Sequence, residues 1–156
     1  MNLRASYLIL FLFGFGTVFG QEIKSPNGEM QLAFSLDAAG APTYQLNFKN
    51  KPVIKSSRLG FDLKNDSTDL IQGFQIINSS ESTYDETWTP VWGEESEIRD
   101  HHQELLVELM HQASKRKVNI RFRLFDTGLG FRYEFPVQEN MGHFVITEEL
   151  SQFAMT

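Results

Sequence analysis

The sequence predicts an all-β protein, an antiparallel β-sandwich, and three observations carry that prediction. Apolar residues recur with a period of two rather than 3.6, turn residues interrupt the chain at short intervals, and no stretch offers a long capped amphipathic helix. At 156 residues, 41% hydrophobic and 22% charged, the chain has the profile of one globular domain that buries about two-thirds of its unfolded surface.

The N-terminus comes first. Arg4 supplies a positive n-region, Tyr7 to Phe13 an apolar h-region, and Val18-Phe19-Gly20 a cleavage site before Gln21. The uninterrupted apolar run is far short of the ~20 residues that span a bilayer. Residues 1–20 therefore read as a signal peptide, with export to a periplasm or cell surface and no membrane partner after cleavage. The chain has no cysteine, so an exported product relies on its core rather than on disulfides.

Met30, Leu32, Phe34 and Leu36 then alternate with polar partners, "DAAGAP" turns the chain, and Tyr44, Leu46 and Phe48 alternate again. Residues 30–37 and 43–48 are predicted as a hairpin. Val118, Ile120, Phe122 and Leu124 form a second run and Phe131, Tyr133 and Phe135 a third, joined by "DTGLG". There Gly128 and Gly130 are expected to supply positive φ. Shorter strands are expected at 59–63, 74–78, 104–111 and 144–149. The last residues, "HFVITEELSQFAMT", are apolar and strand-like, so residues 21–156 read as part of a longer protein.

The charge balance, 14 basic against 20 acidic residues for a net −6, argues against nucleic acid as a partner. Only Lys115-Arg116-Lys117 gathers basic residues, too few to follow a phosphate backbone.

One stretch fits the alternation badly: "YDETWTPVWGEESEIRDHH", Tyr84 to His102, which holds both tryptophans. Its rings suit stacking on sugar faces or packing between domains. His101 and His102 with Glu97 and Glu104 invite a metal reading, but adjacent strand residues point to opposite faces. Glu94, Glu95 and Glu97 read first as a solvated run. Asp126-Thr127-Gly128 has the letters of an aspartic protease loop, yet that chemistry needs a second carboxylate loop and a turn explains the same letters.

"YDETWTPVWGEESEIRDHHQEL", "IRFRLFDTGLGFRYEFP", "FVITEELSQF" and "SPNGEMQLAFSLDAAGAPTYQL" together resemble the N-terminal domain of glycoside hydrolase family 97, within it the α-glucosidase branch that serves starch utilisation. The resemblance covers nearly all of residues 21–156. It implies an N-terminal β-super-sandwich supporting a (β/α)₈ catalytic barrel and a small C-terminal β domain. It further implies an exo-acting α-glucosidase acting on starch oligosaccharides, with calcium in the full-length enzyme. An α-galactosidase branch and a non-catalytic carbohydrate-binding or structural module are the alternatives. The catalytic carboxylates and calcium ligands fall outside this chain, so no catalytic or metal residue is assigned, Glu148 and Glu149 included. The expected contribution is substrate binding at the rim of the sugar site by Trp92, Glu94 and Arg99, on the loop Tyr84 to Arg99 that breaks the alternation.

Overall fold

The structure, a computed structural model, describes residues 20–64 and 68–156; the signal peptide expected over 1–20 lies, but for Gly20, outside them. Among the described residues ten strands are found: β1 Gln21–Lys24, β2 Met30–Leu36, β3 Pro42–Phe48, β4 Lys51–Arg58, β5 Phe61–Leu63, β6 Phe74–Trp88, β7 Ile98–His111, β8 Lys117–Leu124, β9 Leu129–Glu134 and β10 Ile146–Glu149. They form an antiparallel sheet β1-β2-β3-β4, a second of order β6-β7-β8-β9, and a β10-β5 pair.

The predicted hairpin from residue 30 to 48 forms with Met30 opposite Phe48, Leu32 opposite Leu46 and Phe34 opposite Tyr44. Its turn depends on Gly40, whose φ is +75°. A Cβ there would stand 2.8 Å from the Phe74 carbonyl oxygen, so both conformation and space require glycine. Strand β4 escapes the alternation reading because its turn, Lys49-Asn50, lacks glycine; both residues nonetheless take positive φ, 50° and 62°, as a two-residue hairpin turn demands.

The "DTGLG" segment corrects an expectation. Neither Gly128 nor Gly130 has positive φ. The chain reverses at Asp126-Thr127, with the Phe125 amide donating to the Gly128 carbonyl at 2.9 Å, so the glycines are not what makes the turn.

The sheets face each other across one core. Leu32, Phe34 and Tyr44 of the first pack against Leu105, Val107, Ile120 and Phe122 of the second, with Phe34 and Phe122 ring centroids 5.8 Å apart. The final segment is paired too. Leu150 and Gln152 amides donate to the carbonyls of Gly60 and Arg58, both at 2.9 Å, and Lys55 donates to Ala154 at 2.8 Å. Residues 146–149 thus run antiparallel along β5, and the chain continues along β4 as far as Met155, which bridges Ile54.

His111 ends β7 in a buried position against Phe74, its Nδ1 2.8 Å from Ser114 Oγ. Burial holds its pKa below the ordinary imidazole value of 6.5. As pH falls, the unfolded chain takes up this proton first. The stability His111 contributes is therefore complete above about pH 6.5 and drains away as pH falls toward the lowered folded value. His111→Gln should flatten the dependence of melting temperature on pH between about 7 and 5; an unchanged profile would show that His111 is not the group responsible.

Candidate functional site

Beyond the end of β8, where Leu124 pairs with Gln103, β6 and β7 continue alone as a two-stranded ribbon. Trp88 pairs with Ile98, Thr87 with Arg99, Glu86 with Asp100, Asp85 with His101 and Tyr84 with His102. This amends the reading of Tyr84 to Arg99 as a loop: only residues 89–97 leave the ladder. Alternation fails in the ribbon because neither face is fully buried, and strand structure there rests on cross-strand pairs.

Those pairs are specific. Arg99 forms a two-pronged ion pair with Asp85, its Nε and Nη2 each donating at 2.7 Å, and this contact holds the Asp85 carboxyl below its ordinary value. Thr83 donates to Gln103 at 2.8 Å. On the opposite side His102 is buried between Tyr84 at 5.2 Å and Phe125 at 4.9 Å, with Nδ1 2.6 Å from Asp100 Oδ1. Tyr84 donates to the Glu86 carboxylate at 2.5 Å, which raises its pKa. His101 points the other way, 3.9 Å from Asp85.

The tip carries the rings. Trp92 is 86% exposed, Val91 fully so, and Trp88 52%. The expected substrate-binding residues are therefore divided by the ribbon: Trp92 and Glu94 stand at its exposed tip, while Arg99 lies one strand pair behind Trp88 with its guanidinium on Asp85. Asp85, Tyr84 and His102 are the positioning residues that sequence reasoning missed. Asp85 and Arg99 are diagonal neighbours across a hairpin, a signal readable only once both strands are extended through the polar residues.

Other chemistry-bearing groups are committed to structure. Asp126 accepts from the Asn27 amide at 2.8 Å, tying the β8-β9 turn to the β1-β2 turn. A cavity of about 440 Å³ between the β2-β3 turn and the start of β6 is lined by Asp37 as its one ionised side chain. Asp37 is held by the Ala39 and Ala41 amides and by Arg58. Among the described residues no three of His, Cys, Asp and Glu converge as a metal cage, and Glu148 and Glu149 are exposed on β10.

A two-sheet sandwich thus extends a clasped polar ribbon tipped with exposed tryptophan and glutamate. Residues 23–156 match the family described as Glycosyl-hydrolase 97 N-terminal, and the chain belongs to it. Among solved structures, a glycoside hydrolase family 97 enzyme from Pseudoalteromonas sp. strain K8 in complex with panose is 33% identical, with TM-score 0.80 over 86% of this chain and 20% of that one. The same enzyme with acarbose aligns over the same shares at the same identity with TM-score 0.81. A β-arabinopyranosidase, 22% identical, shares the fold with TM-score 0.79 over 87% of this chain and 21% of its own. The chain spans about a fifth of the length of these enzymes.

Both tryptophans of the chain lie on the ribbon or its tip, so tryptophan fluorescence excited at the red edge, where tyrosine does not absorb, reports on it alone. The chain should emit as solvent-exposed tryptophan and be readily quenched by acrylamide, with Trp92→Phe removing the most accessible component. Blue-shifted, quencher-resistant emission would place the tip against protein.

Proposed function

We propose that this chain is the N-terminal part of an exo-acting α-glucosidase that hydrolyses α-glucosidic bonds of starch oligosaccharides. In this reading the sandwich supports the catalytic barrel, and the β6-β7 ribbon brings Trp92 and Glu94 to the rim of the sugar site. The single observation that carries the assignment of residues is the exposure of Trp92 at the end of a ribbon whose base is pinned by Asp85–Arg99 and by the His102 stack. Large apolar rings left in water at the end of an ordered element mark a contact surface. Panose and acarbose are bound by a family member 33% identical, which supports an oligosaccharide as the ligand. The barrel supplies the pair of carboxylates that glycoside hydrolysis requires. Calcium in the full-length enzyme, and export to the periplasm or cell surface, belong to the same proposal.

Chemically, the indole of Trp92 offers a flat apolar face to the C–H surface of a glucose ring, and the Glu94 carboxylate accepts hydrogen bonds from its hydroxyls. Arg99 acts through Asp85, fixing the direction of the ribbon. A second reading, in which the tip only joins the two domains, is favoured by Trp88, half-exposed beside Ile98, a pairing suited to an interface.

Kinetics of the full-length enzyme separate the two. Contact with sugar predicts that Trp92→Ala and Glu94→Gln each lower kcat/KM by on the order of tenfold, about 1.4 kcal/mol, at unchanged melting temperature. A lowered melting temperature with activity kept would make the tip a domain joint, and normal behaviour in both variants would remove it from the sugar site.

A further inference from the structure

The outer face of the second sheet carries a row of charges away from the ribbon tip. Arg132 and Arg121 both reach Glu134, Arg121 also donates to Glu104, and Arg123 Nε donates to the second oxygen of Glu104 at 3.0 Å. Three guanidiniums face two carboxylates, leaving one positive charge in excess on a chain of net −6. The Arg121 contact holds the Glu134 carboxyl below its usual range, and both glutamates are already engaged by arginine. Arg123 makes its hydrogen bond through Nε, and its two terminal nitrogens donate no hydrogen bond among the described residues.

Arg123 stands directly opposite Gly130. Together with Arg121, Arg132, Phe125 and Phe131 they line a depression of about 210 Å³. Nothing in the fold asks for glycine at this position: φ is not positive, and a Cβ would meet no atom within 4 Å. Glycine in a strand weakens it through backbone entropy and missing side-chain contacts, and commonly marks a place where a ligand or another backbone approaches closely.

We infer that the depression over Gly130 is a carboxylate-binding site. The free fork of Arg123, with Arg132 beside it, takes the carboxylate of a small acidic ligand. The bare backbone of Gly130 and the ring of Phe125 receive the carbon atoms next to it. Paired N–H donors in one plane match the two oxygens of a carboxylate, and the apolar ring of Phe125 beside them suits the carbon atoms that an organic acid carries and an inorganic oxyanion lacks. The carboxylate can be that of a sugar acid or of a simple organic acid, and this inference stands independently of the role of the ribbon tip.

Calorimetric titration of the chain with sodium glucuronate, glucose, acetate and sulfate tests it. Glucuronate should bind with a dissociation constant on the order of 1 mM, and glucose not at all. A tighter fit for glucuronate than for acetate, abolished by Phe125→Ala, identifies a sugar acid as the source; equal affinities identify a simple carboxylate. Gly130→Val, which suits a strand and has room, should keep or raise the melting temperature while weakening glucuronate at least tenfold. Arg123→Lys, which keeps the charge and loses the fork, should weaken it as well. The inference is overturned if sulfate binds as tightly as the carboxylates, if Gly130→Val binds glucuronate normally, or if no carboxylate binds.

Discussion

The aromatic seam between the two sheets is the contact on which the rest of the structure depends. Tyr44 from β3 lies 6.2 Å from Phe122 and 5.7 Å from Phe131, and Phe34 closes on Phe122 from the same side. Such tilted pairs add to the hydrophobic gain of burying each ring. Tyr44 also has a polar end. Its hydroxyl donates to the Gln152 carbonyl at 2.8 Å, and burial pushes its pKa up to about 12, so it remains a neutral donor. One side chain thus ties the first sheet, the second sheet and the closing segment together. Because β6 and β7 belong to the second sheet, the ribbon inherits its direction from this seam.

The ribbon solves a different problem. A hairpin that leaves its sheet loses the burial that normally fixes register and is marginal alone in water. Here the base is fixed by His102, buried between Tyr84 and Phe125 on the outer face, and the next pairs by the Asp85–Arg99 fork. The Asp85–Arg99 pair is exposed and serves geometry more than overall stability. The ribbon extends past the point where hydrophobic packing stops, and polar pairing takes over as the means of holding a shape.

What the sequence made legible follows from burial. The strands around Leu32, Phe34, Tyr44, Ile120 and Phe122 were readable because one face of each meets the core, which enforces a period of two. The family was legible for a related reason, since the quoted blocks combine this buried frame with the tryptophan segment. The ribbon was not, because Ser79 to Trp88 has no buried side chain to set a period. Strand β1 is only four residues long, and β4 buries only Ile54 and Ser57. The glycines of "DTGLG" misled in the opposite direction: a turn was correctly placed, but its reversal uses Asp126 and Thr127, and neither glycine takes the positive φ expected of it. Of the site, the residue types at the tip were legible, while the partner of Arg99 depended on a register that alternation could not supply.

The central claim is that the sandwich holds the ribbon as an ordered arm up to its last strand pair. Hydrogen–deuterium exchange of the chain, read residue by residue, tests this most directly. Protection should persist along the paired amides of β6 and β7 beyond Gln103, out to Thr87 and Arg99, and collapse over residues 89–97. Exchange as fast at Thr87 and Arg99 as in residues 89–97 would contradict the account, leaving Trp92 on a loose loop with no fixed direction.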